Sequence, residues 1–232
     1  MIEKNDLYDY GFYIFQNREY FKFSIDSILL AEFIRFKRND RILDMCTGNA
    51  PIPLILTSKD DNLKIDAVEI QKEVYDLAKK SIEINNLHNI NIINDDVKNV
   101  KLKSKYDIIV CNPPYFKVNE NSILNENEIK KIARHEIQLN LKDVIMTASK
   151  HIKETGKFYM VHRNERLIDA INLLEENSFG IRKICFVFTK ENATSEFFLI
   201  EAVKHQKSDP KIAYLNIKNL ITYKGIFEEV FK

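Results

Sequence analysis

Glycine and proline are scarce in this chain, five of each in 232 residues. With 45% hydrophobic and 30% charged residues, that composition excludes a disordered or low-complexity polypeptide. A charge of one sign is also lacking, since the formal net charge is +1. Composition therefore names no partner, although lysines and arginines gathered on one face suffice for a nucleic acid. The three cysteines, Cys46, Cys111 and Cys185, are odd in number and widely spaced. Each lies in or beside a predicted strand, which excludes a disulfide framework and suits reduced thiols in a cytoplasmic protein. There is no CxxC, and the five histidines show no ligand spacing, so no metal is expected. No apolar run is long enough to span a bilayer, and Met1 to Asp6 has no signal core, so no membrane association is expected either. The length suits a single α/β domain over residues 1–232. It divides into an N-terminal hairpin and helix (1–36), a core (37–205) and a C-terminal tail (206–232).

What the sequence does contain centres on Cys111-Asn112-Pro113-Pro114-Tyr115. The preceding run, Tyr106 to Val110, reads as a buried strand. Two consecutive prolines neither continue a strand nor open a helix smoothly, so the chain turns there. The turn presents the amide of Asn112, the carbonyl of Pro113 and the ring of Tyr115. The amide oxygen and the carbonyl are acceptors that can grip an –NH2 group. The ring can stack on a flat heterocycle. The plain reading is an ordinary Pro-Pro loop beside a sheet.

Taken in order, Tyr10 to Phe15 alternates weakly and is expected to pair with Tyr20 to Phe23. Ser24 or Asp26 can cap a helix whose apolar face is Ile28, Leu29, Phe33 and Phe36. Arg41 to Asp44 is a strand that runs into Asp44-Met45-Cys46-Thr47-Gly48-Asn49-Ala50 and a helix started by Pro51. A strand, a turn of small residues and a helix form the first half of a nucleotide-binding unit. The next strand, Lys64 to Val68, ends in Glu69, the place where an acid holds a ribose diol. Glu69 could equally cap the helix from Gln71 to Asn85. Ile90 to Asn94 is a third strand, and Asp95 or Asp96 after it is either an acceptor for an adenine amino group or a turn residue.

Phe116 to Ile137 reads as an insertion with a helix at Glu126 to Ala133, and His135 within it as a surface or structural group. Leu141 to Ile152 and Arg166 to Glu176 are predicted helices, with a fifth strand, Lys157 to Val161, between them. Arg182 to Phe188 and Glu196 to Val203 are two further β-rich runs, expected as an antiparallel edge. Strands alternating with helices imply a parallel sheet with its ligands at the strands' C-terminal ends. Asp44 to Ala50, Glu69 and Asn112 to Tyr115 all fall at such ends. Together they describe a nucleoside-bearing cofactor beside a pocket for a planar amine.

The chain resembles the class I S-adenosylmethionine-dependent methyltransferases of the Asn-Pro-Pro-Tyr type. It is most similar to the bacterial tRNA(Val) adenine-37 N6-methyltransferase family, from about Tyr13 to the end. The resemblance rests on Phe23 to Leu30, Asp44 to Asn49, Val68 to Gln71, Cys111 to Phe116, Ala133 to Glu136 and Val161 to Arg163. Ala50 stands where glycine is usual. The fold implied is Rossmann-like: a seven-stranded, mostly parallel sheet with an antiparallel edge strand and helices on both faces. The cofactor implied is S-adenosyl-L-methionine, held by Phe23, Asp26, Asp44, Cys46, Thr47, Gly48, Asn49, Glu69, Ile70, Asp95, Asp96 and Asn112. Gly48 and its neighbours face the methionine part, Glu69 the ribose, and Asp96 or Asp95 the adenine.

Asn112, Pro113 and Tyr115 are the catalytic residues implied. The implied partner is tRNA, through an anticodon-loop adenine, and the implied state a monomer or weak homodimer. The same motif also serves methylation of a protein glutamine. The roughly 40 residues before the first core strand are too few for the helical domain usual there. Guanine-N2 methylation of rRNA and DNA adenine methylation would use the same acceptors on a different amine. A non-catalytic RNA-binding module would keep the fold without the transfer.

Overall fold

The computed structural model describes residues 2–17, 25–102, 104–113, 139–189, 194–218 and 220–231. An interior strand of its sheet, β3 (Arg41–Asp44), is short, with Ile42 and Leu43 fully buried. Successive side chains of a strand point to opposite faces. Ile42, Ile108, Val110, Tyr159 and Val161 accordingly join one apolar cluster, and Leu43, Ile109, Cys111, Phe158 and Met160 the other. The sheet is thus buried on both faces, as a parallel sheet with flanking helices requires.

The crossovers follow the periodicity of the sequence. From β3, helix α2 (Pro51–Lys59) leads to β4 (Lys64–Glu69), and α3 (Lys72–Ile84) to β5 (Ile90–Asn94). Strand β6 (Tyr106–Cys111) lies on the other side of β3, and α4 (Leu141–His151) connects towards β7 (Ile152–Arg163). Asn140 opens α4 with a reciprocal cap: its side chain accepts from the Asp143 N–H at 2.9 Å, and the Asp143 carboxylate accepts from the Asn140 N–H at 3.4 Å. Helix α5 (Leu167–Glu176), then β8 (Phe179–Phe188), β9 (Phe197–Lys204) and β10 (Lys211–Asn216) complete the sheet. The order is β10-β8-β9-β7-β6-β3-β4-β5. The reversal at β3, between β4 and β6, puts the ends of three adjacent strands beside one crevice.

Two expectations are corrected. The sheet has eight strands among the described residues, not seven, because the expected tail supplies β10, parallel to β8. The antiparallel strand, β9, is not at the edge but between β7 and β8. Seven of its eight residues are buried, which an edge position cannot provide. Among the described residues, β2 (Phe12–Asn17) pairs with β1 (Ile2–Leu7) upstream of it. The segment Tyr20 to Phe23 expected as its partner lies outside the described residues, as do the Phe116 to Ile137 insertion, its helix and His135.

The β1–β2 hairpin rests on α3, where the Phe15 N–H donates to Ser81 Oγ at 2.9 Å and the Tyr13 N–H to Asn85 Oδ1 at 2.9 Å. Helix α1 (Ile25–Phe33) packs beside α2 and buries Leu29, Leu30 and Phe33. Asp26 falls inside its first turn. Among the described residues no helix is long and apolar enough to cross a membrane. Nor does any group of three histidine, cysteine or acidic side chains there suit a metal ion.

Candidate active site

Three strand ends build the site. At the end of β3, the Met45 N–H donates to the Val110 carbonyl and the Thr47 N–H to the Val68 carbonyl, both at 3.0 Å. The turn is therefore bridged to both neighbouring strands. Gly48 follows at φ +57°, in the left-handed region that glycine tolerates best. A Cβ built there meets nothing within 4 Å, so the backbone borders open space. Ala50, at φ +67°, is also left-handed and fully buried, and it precedes Pro51 at the start of α2.

Asp44, Thr47 and Asn49 are buried in this turn. Both Asp44 oxygens, Thr47 Oγ1 and both polar atoms of the Asn49 side chain are buried without a partner in full hydrogen-bond geometry, although Thr47 and the Cys46 backbone lie near enough to Asp44 to act on its charge. Buried polar groups are ordinarily satisfied. A turn with this many under-satisfied polar atoms suits a polar ligand at the strand ends. Burial pushes the Asp44 carboxyl up to about 7 from its ordinary 3.8, against weaker opposing help from Thr47 and the Cys46 backbone.

A stability consequence follows. Because the folded state holds the Asp44 proton more tightly, this residue favours folding below about pH 4 and ceases to as pH rises through about 7. The ligand-free protein should lose up to about 4 kcal/mol between those limits, at about 1.4 kcal/mol per pH unit. Thermal midpoints from pH 4.5 to 8 should show the decline in wild type and a flatter profile in Asp44→Asn. Identical profiles would rule it out.

Glu69, at the end of β4, is buried and spans two backbone groups. Its Oε2 accepts from the Gly48 N–H at 3.0 Å and its Oε1 from the Gln71 N–H at 2.8 Å. It thus holds the Gly48 turn and the residue that precedes α3, and neither contact excludes a ligand. A carboxylate has about four acceptor positions, so both oxygens keep capacity for a ligand's hydroxyls. Burial raises its pKa, opposed by those backbone donors. Asn94, which no motif in the sequence marks, braces this corner by donating to the Glu69 carbonyl at 2.8 Å. Ile70 is exposed beside it.

The two candidates after β5 differ. Asp96 is half-buried and accepts within its own turn from the Lys98 N–H at 2.9 Å. Asp95 is exposed, and its Oδ1 accepts from the Asp96 N–H at 2.8 Å.

At the end of β6, Pro113 is buried and Asn112 half-buried. Asn112 Nδ2 donates to Ser27 Oγ at 2.9 Å, across 85 residues of sequence. Ser27 sits in α1 and is buried; its signal is its place in the Phe23 to Leu30 stretch, but no local pattern shows the contact. The thiols of Cys46 and Cys111 are 3.6 Å apart beneath the site. The Cys111 contact and burial hold the Cys46 thiol well above its usual range, so it is neutral and no nucleophile. His162 in β7 is pushed down to about 4 by burial and by Arg166, which leaves it uncharged. Phe23 and Tyr115 lie outside the described residues.

A mostly parallel sheet with one inserted antiparallel strand, helices on both faces and a glycine turn after an interior strand defines the fold of the class I S-adenosylmethionine-dependent methyltransferases. The structure superposes on a predicted O-methyltransferase of Agrobacterium tumefaciens with a TM-score of 0.65, at 18% identity over 86% of this chain and 90% of that one. It also superposes on M. jannaschii TYW2 in complex with AdoMet with a TM-score of 0.57, at 17% identity over 87% and 84%. The chain belongs to the family described as "Methyltransferase small domain", whose model matches residues 21–185. Among curated relatives it is similar to the tRNA1(Val) (adenine(37)-N6)-methyltransferases of Trichodesmium erythraeum and Pseudoalteromonas translucida. The first is 31% identical over 67% of this chain and 66% of the relative, the second 26% identical over 74% and 72%.

Proposed function

We propose that this protein transfers a methyl group from S-adenosyl-L-methionine to the exocyclic N6 of an adenine in tRNA, at position 37 beside the anticodon. The observation that carries the reading is Asn112 held at the end of β6, next to the open, polar turn at Gly48. The curated relatives bearing that activity support the choice of substrate.

Bound in the crevice, S-adenosylmethionine supplies an electrophilic methyl group on its sulfonium sulfur. Asp44, Thr47 and Asn49 offer their under-satisfied polar side chains to it, and Glu69 offers acceptor capacity to a ribose diol. Asn112 and the Pro113 carbonyl accept hydrogen bonds from the target amine. The N6 lone pair of adenine is delocalised into the ring; holding both its hydrogens draws the nitrogen towards tetrahedral geometry and frees that pair for in-line attack on the sulfonium methyl, so that an N–C bond would form as the C–S bond breaks, S-adenosylhomocysteine would leave, and the acidic proton of the methylated nitrogen would pass to solvent. Catalysis is then positioning plus preorganised acceptors, and no strong base is needed. The neutral state of His162 and Cys46 agrees with that.

Tyr115 stacks on the adenine once it is splayed from the loop. Base–aromatic stacking contributes about 1–3 kcal/mol. Tyr115→Ala should therefore raise the KM for tRNA by roughly 10- to 100-fold, with cofactor affinity unchanged in a titration. An unaltered KM rules out stacking.

The test of the function is methyl transfer from labelled cofactor to unmodified total tRNA, followed by digestion to nucleosides. Labelled N6-methyladenosine is the expected product. Label in a protein glutamine, in rRNA guanine or in DNA assigns the protein to the corresponding activity instead, and no label despite cofactor binding makes it non-catalytic.

A further inference from the structure

The Asn112 side chain needs a defined orientation. It is half-buried at the end of β6, so more than one rotamer is open to it and a hydrogen-bond partner fixes one of them. In the proposed reaction, on which this inference rests, only a rotamer that brings the amide against the target amine is productive.

We infer that Ser27 is a positioning residue that tethers the Asn112 side chain in the rotamer from which it reaches the target amine. Its Oγ takes the Nδ2 donor at 2.9 Å, which leaves Oδ1 without a partner among the described residues. Ser27 is 4% exposed, so water does not compete freely for that contact. Its own position is fixed by the burial of Leu29, Leu30 and Phe33 two to six residues further along α1. Glu32, on the same helix, is anchored to the Gly225 N–H at 2.8 Å and to Lys59 Nζ at 3.0 Å. The serine thus stands on a helix that is pinned independently of the loop carrying Asn112. Supporting shells of this kind keep a reacting group in place, and a displacement of about 1 Å can cost about 100-fold in rate.

Ser27→Ala separates this role from a structural one. Its kcat for methyl transfer should fall by about 10- to 100-fold, while the KM for tRNA and the cofactor Kd stay within about threefold. The second readout needs no substrate. The side-chain NH2 protons of Asn112 in a 15N spectrum, assigned by their loss in Asn112→Ala, should exchange with solvent at least about tenfold faster in Ser27→Ala. Unchanged exchange overturns the inference whatever the enzyme methylates. Faster exchange with an unchanged kcat overturns it too, since orientation then does not matter to the chemistry. A parallel loss of kcat, cofactor binding and thermal midpoint assigns Ser27 to folding alone. If wild type methylates no tRNA, the proposed function fails, whereas the exchange measurement still decides whether Ser27 holds the amide.

Discussion

Replacing Asn112 by alanine should lower kcat for methyl transfer by about 1,000-fold or more and leave the cofactor Kd within about threefold. The residue lies at the end of β6, beside the Gly48 turn but outside it. Glu69 at the end of β4 and the buried polar side chains of Asp44, Thr47 and Asn49 around the Gly48 turn are untouched by the substitution. What disappears is an acceptor aimed at the amine, and removing one preorganised hydrogen-bonding group from an active site costs about 10²–10³ in kcat. Here the cost is larger, because the acceptor also localises the nucleophilic lone pair. Asn112→Asp keeps two acceptor oxygens, one of which can accept from the Ser27 hydroxyl, so it should retain far more activity than the alanine variant. Single-turnover rates and isothermal titrations separate the two quantities. A cofactor Kd weakened as much as the rate, or a retained rate, removes Asn112 from the reaction.

The largest stability effect is expected well away from that motif, at Glu32. This side chain is 2% exposed. Its Oε1 accepts from the Tyr10 hydroxyl at 3.1 Å and pairs with Lys59 Nζ at 3.0 Å, and its Oε2 accepts from the Gly225 N–H at 2.8 Å. One carboxylate therefore joins the turn of the N-terminal hairpin, α1, α2 and the C-terminal segment. Thr222 and Lys224 reinforce that junction by donating to Asp9 at 2.6 and 3.0 Å. Burial already lowers the pKa of Lys59, with Glu32 opposing that shift. Glu32→Ala strips the Lys59 ammonium of its counter-charge, leaving it the Ala31 carbonyl at 3.1 Å, and leaves a hydroxyl and a backbone N–H unmatched; breaking a buried pair in this way costs about 3–5 kcal/mol. At about 2–4 °C per kcal/mol for a chain of this size, the melting midpoint should drop by about 10 °C. Adding Lys59→Met to that variant should recover part of the loss by removing the stranded charge. A drop under about 2 °C, or no recovery, makes the junction unimportant to stability.

The two residues bear on one helix. Glu32 fixes the C-terminal half of α1, and Ser27 near its start holds Asn112. A milder substitution at Glu32 that leaves the fold intact therefore acts on the site through α1.

The parallel core is legible in the sequence because its signals are local. Ile90 to Asn94 and Tyr106 to Cys111 read as strands from their apolar runs, and the strands have those bounds. The acids and small residues at the strand ends can be placed from order alone, since a crossover unit puts every such end on the same side of the sheet. Beyond β7 order no longer suffices. The β-rich runs that form β8 and β9 are recognisable, but their neighbours in the sheet depend on pairing between distant segments. Lys211 to Asn216 has two exposed apolar residues, Ile212 and Tyr214, and carries little sign of a strand until β8 is beside it.

Local pattern along the chain supplies the chemistry: Asp44, Gly48, Glu69 and Asn112 stand at the ends of strands whose apolar periodicity commits them to a buried sheet. How those groups are held depends on packing between distant segments: Glu69 reaches both Gly48 and Gln71, Asp96 accepts within its own turn, Asp44 is buried beside Thr47, and Ser27 meets Asn112. Periodicity reports only which face of an element is buried. A hydrogen bond across 85 residues exists only once two separately packed elements have met.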